Sequence, residues 1–426
     1  MKLRAWLMRA LASSLIMGCV SPPAAPPEKP GNIFVIVVDT LRRDHVSAYG
    51  SKTRTPNIDR VATRGQVLTE SASSFHQTTM STAALFTGRT PSLERTGGQQ
   101  LHWSGQTWCG LARLAASEGD DCIPEAVSTL AEEMRKLGYR TVGVIANELL
   151  YKPGGYEKGF DEWVQVAPRT PEQSKRNGPG SLQASARRRS ARPVNAAVLK
   201  ALESQPKDRP LFVYVHYIDV HEYQILSRSY SDAVRIFDAD FGLLLDDLEK
   251  RGYLDDAMVV LTSDHGEALG ETHALPSSRG HFGNPSFEPL LQVPLLASGN
   301  LVEDPSAFVR SQDLYGLLLR AAGAPELPAS QDTERGELFL SELAYQTYRS
   351  GRWKSTRPRD GRSISLFDLS ADPGETNDVA AAHPAIVAKH QNRIDQLETE
   401  LSAADVQPRG LSASDEDRLR QLGYVE

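Results

Sequence analysis

The sequence predicts an α/β protein: a large, mostly parallel central sheet flanked by helices, followed by a small C-terminal antiparallel sheet plus helix. Three observations carry this expectation. Continuous apolar runs near 32–38, 140–146, 210–217, 257–262 and 293–297 have the composition of strands covered on both faces. Helical patterns near 56–64, 79–86, 125–137, 194–203, 230–250 and 310–322 alternate with those runs, the order that parallel strands and their crossovers require. Beyond about residue 327 the pattern shortens into segments near 337–344, 347–355 and 363–369, closed by a helix near 384–402.

The first run, Asn32 to Val38, is apolar after its first residue, so neither face is expected to meet water. Residues 230–250 set Val234, Phe237, Phe241, Leu244, Leu245 and Leu248 at helical spacing, which predicts one face turned to the core. Ile386, Val387, Ile394, Leu397 and Leu401 do the same for the last helix. The chain of 426 residues, 40% hydrophobic and 24% charged, suffices for one large domain, assigned to 31–327, and a C-terminal subdomain, 328–426. A net charge of −7 argues against general nucleic-acid binding. One stretch departs from it. Residues 169–192 hold Arg169, Lys175, Arg176, Arg187, Arg188, Arg189 and Arg192 against a single Glu172, and read as a mobile solvated loop or a contact for anionic headgroups or glycans.

The chemistry concentrates where apolar runs stop. Val259 to Thr262 ends in Ser263-Asp264-His265-Gly266-Glu267, placing a carboxylate and an imidazole at the C-terminal end of a strand, where open α/β sheets bind ligands. A hard oxygen donor beside a nitrogen donor suits a divalent cation such as Zn²⁺ or Mn²⁺. The run 32–38 ends likewise in Asp39, which read alone is equally a cap for the following turn. Thr78 and Thr79 precede a short apolar helical stretch stopped by Gly88. A hydroxyl at a helix N-terminus near a metal is an activated nucleophile, and an ordinary N-cap threonine otherwise.

Taken together these segments resemble the sulfatases and their relatives in the alkaline phosphatase superfamily. The shared pattern is Val38-Asp39-Thr40, then Thr78 through Thr87-Gly88-Arg89, then Ser263 to Glu267. His216, Asp219 and His221 after the 210–217 run, Gly280-His281 before Leu291 to Leu295, Phe367-Asp368-Leu369, Asp372-Pro373-Gly374-Glu375 and Leu422 to Val425 extend it over about residues 30 to 426. Sulfatases carry Cys or Ser in a Cys/Ser-x-Pro-x-Arg motif and oxidise it to formylglycine. Here Thr78 stands at that position, with Met80 and Thr82 where Pro and Arg are expected. Threonine cannot form that aldehyde, but it is the nucleophile in related phosphodiesterases and in phosphoethanolamine and lipoteichoic-acid transferases.

The resemblance implies one divalent cation (Ca, Mn or Zn) held by Asp39, Thr78, Asp264 and His265. It implies Thr78 as nucleophile, with His221 and His281 acting on the leaving group or an equatorial oxygen, and His216, Asn147 and Lys354 as substrate-side residues. For His216, inside an apolar strand, a structural role weighs slightly more. His76 and His273 receive no role. The expected activity is metal-dependent hydrolysis of an anionic ester, sulfate or phosphate, on a lipid or glycan. The alternatives are phosphoethanolamine- or phosphoglycerol-type transfer to a cell-envelope acceptor, or a sulfatase-like binding protein without turnover.

The N-terminus bears on compartment. Lys2, Arg4 and Arg9 precede a short apolar stretch ending in Leu15-Ile16-Met17-Gly18-Cys19, which reads as a lipoprotein signal, 1–18, with Cys19 lipidated. A Pro-rich tether, 19–30, follows. Simple cleavage and release is the competing reading. Anchoring would place the protein on the periplasmic face of a bacterial cell-envelope membrane, where Cys109 and Cys122 are expected to form a disulfide.

Overall fold

The computed structural model describes residues 31–91, 93–96, 100–103, 123, 127–150, 155–166, 179–205, 208–276, 280–281, 284, 286–325, 336–342 and 344–401. The signal and tether segments, Cys19, Cys109 and Cys122, and the terminal Leu422 to Val425 lie outside the described residues. The central sheet has seven strands in the order Gln66–Val67, Leu295–Ala297, Ala257–Thr262, Asn32–Val38, Leu211–Tyr217, Arg140–Ile145 and Glu162–Gln165. The five from Ala257–Thr262 onward run parallel, and Leu295–Ala297 runs antiparallel to both its neighbours.

Register carries the functional consequence. Val37 lies opposite both His216 and Thr262, and Ile145 opposite His216. The C-terminal ends of four strands therefore stop level, and Asp39, Asn147, His216 and Asp264 emerge along one edge. Each strand alternates its side chains between two cores. Ile33, Val35 and Val37 pack with the helices Thr78–Thr87, Leu130–Lys136 and Asp313–Ala321. Phe34, Ile36 and Val38 pack with Pro56–Ala62, Ala191–Glu203 and Tyr230–Lys250. Val234, Phe237, Phe241, Leu244, Leu245 and Leu248 are all buried in the second core, as their spacing predicts. Near the C-terminus, Glu337–Ser341, Tyr345–Ser350, Trp353–Pro358 and Ser365–Asp368 form an antiparallel sheet. The helix Pro384–Leu401 closes it through Ile394 and Leu397, which meet Phe339, Tyr348 and Ile364.

Several expectations need correction. The segment near 347–355 is two strands, because Gly351 turns the chain at a positive φ of 57° and starts a hairpin. The helix expected from 125 begins at Leu130, where Thr129 and Glu132 form a reciprocal capping box. Two strands of the central sheet went unpredicted, Gln66–Val67 being too short and Glu162–Gln165 too polar to leave an apolar run. The basic stretch is not all solvated loop. Pro179–Arg188 and Ala191–Glu203 are helical, and Arg189 is buried in ion pairs with Glu222 and, at 3.6 Å, Glu148. Among the described residues no helix is long and apolar enough to cross a membrane.

Phe86 is the one ring that the helix bearing Thr78 sends into the first core, beside Met80, Ala83 and Leu85. Phe86 packs 4.7 Å from Tyr214 and 5.8 Å from Phe160, fully inside the first core. Phe86→Ala is expected to lower unfolding free energy by about 3–5 kcal/mol in urea titrations followed by circular dichroism. A loss below about 1 kcal/mol would show that this ring does not anchor the helix.

Candidate active site

Asp39 leaves the strand Asn32–Val38 into a turn with unusual backbone. Thr40 adopts a left-handed φ of 61°, which costs a β-branched residue strain. The surroundings hold it there. Thr40 N donates to Asp264 Oδ1 (3.2 Å), and Tyr230 Oη donates to the Thr40 carbonyl (2.6 Å). Ser263 Oγ ties the neighbouring strand end to the same turn, accepting from Leu41 N at 2.9 Å and lying 2.6 Å from the Val38 carbonyl. Asp39 and Asp264 are thereby fixed beside each other, both buried.

His265 completes the cluster. Its Nδ1 donates to the Gly266 carbonyl (2.9 Å), which leaves the Nε2 lone pair for the site. Nε2 lies 3.8 Å from Asp39 Oδ1, 3.6 Å from Asp264 Oδ2 and 3.3 Å from Thr78 Oγ1. The donor atoms of Asp39, Asp264 and His265 all fall within 4.8 Å of one another. Asp39 Oδ1 and Asp264 Oδ2 are buried without a hydrogen bond. Two orphaned carboxylate oxygens facing an imidazole nitrogen and a hydroxyl make a donor set that fits one divalent cation.

The acidities agree. Burial and the neighbouring Asp264 carboxylate push Asp39 well above the usual carboxyl range. Burial acts on Asp264 in the same direction, but His265 and His216 outweigh it and hold Asp264 well below that range.

Thr78 opens the helix Thr78–Thr87, after Gln77 in extended conformation with no side-chain cap. The first N–H groups of this buried helix are thus left uncapped by any side chain, as suits a helix end that receives an anion. Gly88 stops the helix at a φ of 69°. Asn147 sits between Thr78 and Asp39, donating to Asp39 Oδ2 at 2.6 Å and lying 3.5 Å from Thr78 Oγ1. Its position is that of an orienting residue for these two groups. His216 lies beneath the cluster, fully buried, with Nε2 3.6 Å from Asp264 Oδ2.

His221 and His281 face the same space, with ring centroids 5.2 Å apart, and His281 is 4.7 Å from His265. Two groups that sequence reasoning passed over position His281. Glu267 accepts from its Nδ1 (2.9 Å), and His76 Nδ1 donates to its carbonyl (2.8 Å). The Glu267 contact was hidden because the partners lie fourteen residues apart across a loop. Burial pushes Glu267 up to about 7 and depresses His76 and His221 to about 3, with His281 also well below its usual value.

Lys354 requires a correction. It does not join the cluster. Its ammonium is fully buried between Glu288 Oε1 (2.8 Å) and Glu375 Oε1 (2.6 Å), an ion pair that the strand Trp353–Pro358 could not reveal by itself. Thr82, at the expected arginine position, is also buried.

Comparison with known proteins agrees with this geometry. The Sulfatase family profile matches residues 31–324, the greater part of the chain. The chain belongs to the sulfatase family of the alkaline phosphatase superfamily. It is 25% identical to steryl-sulfatase of Mus musculus over 78% of this chain and 68% of that protein. It is 30% identical to choline-sulfatase of Rhizobium meliloti, over 36% of this chain and 33% of that one. Among solved structures, the phosphonate monoester hydrolase of Agrobacterium radiobacter aligns with a TM-score of 0.59 at 17% identity, covering 89% of this chain and 99% of that one. A 2-O GAG sulfatase aligns with a TM-score of 0.66 at 17% identity, covering 90% and 95%. These likenesses establish the shared fold.

A cation should stabilise the fold measurably. Asp39 has a raised folded pKa, so its protonation favours the folded chain at acid pH, and that contribution is lost as pH rises through the raised value. A cation bound by the same carboxylates would take the place of that proton at neutral pH. Adding Mn²⁺, Zn²⁺ or Ca²⁺ at a hundred times Kd is expected to add about 2.7 kcal/mol, a few degrees in Tm, at pH 7. The increment should shrink as the pH is lowered. A Tm unmoved by all three ions at pH 7 would refute the metal site.

Proposed function

We propose that the protein is a metal-dependent hydrolase of anionic esters that uses Thr78 as a covalent nucleophile. The observation that carries this reading is the Thr78 hydroxyl, 3.3 Å from His265 Nε2, at the edge of the Asp39, Asp264 and His265 donor cluster. Membership of the sulfatase family supports ester hydrolysis. Thr78 in place of Cys or Ser argues against the formylglycine route, since a threonine cannot become an aldehyde at that carbon.

Asp39, Asp264, His265 and Thr78 would hold the cation, which supplies charge neutralisation and lowers the pKa of a coordinated hydroxyl. Asn147 keeps Asp39 and Thr78 in mutual register. Thr78 Oγ, its hydroxyl proton released to solvent, attacks the sulfur or phosphorus in line, and the bond to the leaving oxygen breaks with its electron pair on that oxygen. Burial by itself holds His221 and His281 neutral, and an anionic ester beside them opposes that effect. One of them then gives its proton to the leaving oxygen, with Glu267 orienting His281. In the second step the histidine that gave up its proton takes one from water as the water oxygen attacks the same centre, and Thr78 departs and is reprotonated to the alcohol.

This chemistry favours phosphodiesters over sulfates. A threonyl phosphate is broken by attack at phosphorus with the same groups that made it. A threonyl sulfate lacks the elimination route that a hydrated aldehyde provides. With Mn²⁺, Zn²⁺ or Ca²⁺ loaded, an aryl phosphodiester is expected to turn over faster than an aryl sulfate. Thr78→Ala should cost about a thousandfold or more in kcat while cation binding persists. Preference for the sulfate would overturn the substrate assignment. Cation binding without turnover of either ester would favour a binding protein, and delivery of the phosphoryl group to an added alcohol rather than to water would favour a transferase.

We further propose that Cys19 anchors the enzyme to the periplasmic face of a bacterial membrane. Cys19→Ala, expressed from the full chain, should move the protein from the membrane fraction to the soluble periplasmic fraction. An unchanged distribution would remove the anchor.

A further inference from the structure

The buried Lys354, Glu375 and Glu288 do not contact the candidate active site, yet they are joined to it by a short chain of contacts. Glu375 is the hub. It is fully buried, in a left-handed backbone conformation with φ of 54°. Its Oε1 pairs with Lys354 Nζ at 2.6 Å, and its Oε2 accepts the backbone N–H of Glu288 at 2.8 Å. The same Oε2 lies 3.4 Å from His273 Nε2, and the Glu375 carbonyl accepts from Ala274 N at 2.9 Å. Lys354 also pairs with Glu288 Oε1 at 2.8 Å, while Arg349 stands 3.6 Å from Glu288 Oε2. Two segments of the C-terminal region thus grip both the excursion at 273–274 and the short helix Glu288–Leu291.

That helix holds the turn carrying the cation ligands. The Leu290 carbonyl accepts from Gly266 N at 2.7 Å, and the Pro289 carbonyl from Glu267 N at 3.2 Å. The approach is so close that a Cβ on Gly266 would sit 1.9 Å from the Pro289 oxygen. The 273–274 excursion is closed at its base by the paired backbone of Ala268 and Gly280, immediately beside Glu267 and His281. The path from the C-terminal ion cluster to His265, Glu267 and His281 therefore runs through backbone hydrogen bonds.

We infer that Glu375, held by Lys354, is a positioning residue that fixes the 264–267 turn and His281 in register with Asp39 and Thr78. The C-terminal sheet therefore acts as a brace for the site as well as a cover for the core. This rests on the reading of that site as a metal-dependent hydrolase. Ligand geometry in such sites tolerates displacements of only about half an ångström, and groups behind the ligands commonly change metal affinity by about 10–100-fold.

The test compares three variants of the full chain. Glu375→Gln keeps an acceptor for the Glu288 N–H, Glu375→Asp keeps the charge for Lys354 but withdraws the carboxylate from that N–H, and Glu375→Ala removes both. Each is assayed well below its own Tm, with near-UV circular dichroism as the check of folding. Two readouts are taken: Mn²⁺ affinity with kcat and KM on an aryl phosphodiester, and amide hydrogen exchange in 264–270 against the control strand Asn32–Val38. For Glu375→Asp and Glu375→Ala, Mn²⁺ affinity is expected to fall about tenfold or more, with kcat reduced and KM little changed. Exchange at Gly266 and Glu267 should rise while the control strand stays protected, and Glu375→Gln should keep both within about threefold of the parent. If Glu375→Ala does not fold, Glu375→Asp alone decides the question. Folded Glu375→Asp with unchanged exchange in 264–270 overturns the brace. Wild-type protein that binds no Mn²⁺ overturns the hydrolase reading instead, and the exchange data still judge the brace.

Discussion

Everything at this site depends on two carboxylates buried side by side. Asp39 and Asp264 come from adjacent strands, and each presents one oxygen without a hydrogen bond to the same small space. Two unit charges 4 Å apart repel by about 4 kcal/mol at an effective dielectric near 20, before the cost of removing them from water. A shared proton or a bound cation relieves such repulsion, and the donor set here fits a cation. The raised pKa of Asp39 expresses the same constraint from the side of the proton.

The rest of the architecture serves to hold that arrangement against its own repulsion. Parallel pairing brings the strand ends level, the left-handed Thr40 and Ser263 lock the two turns to each other, and the Gly266 backbone packs onto the helix Glu288–Leu291. Histidines enter this frame already oriented by backbone carbonyls or by Glu267, so their free faces are set before any ligand arrives. The result is a pre-organised pocket edge in which a threonine hydroxyl, helix N–H groups and imidazoles converge. That convergence fits an ester-cleaving centre better than any of its residues alone.

Much of the fold and the heart of the site were legible in the chain. The apolar runs mark five of the seven central strands because doubly covered strands have few polar residues, and the sharp stops at Asp39 and Asp264 mark the functional edge. Lys354 misled for a clear reason: a lysine on a strand carries no local sign of whether its ammonium reaches substrate or is enclosed by Glu288 and Glu375. Arg189 misled in the same way, being one of several arginines in a basic stretch yet buried against Glu222. Glu267 and His76 stayed without a role because their contacts with His281 cross loops and strands.

The sequence by itself determined the α/β alternation, the edge of the sheet that carries the candidate site, and Asp39, Thr78, Asp264 and His265 as its candidate donors. Those features follow from local composition and from breaks in hydrophobic runs, which short-range physics controls. Only the tertiary structure decided which histidines gather beside His265, that Asn147 lies between Thr78 and Asp39, and that Lys354 is enclosed within a brace. These depend on strand order, register and loop closure, which bring together residues from 39 to 375 and arise from long-range packing rather than from any local pattern.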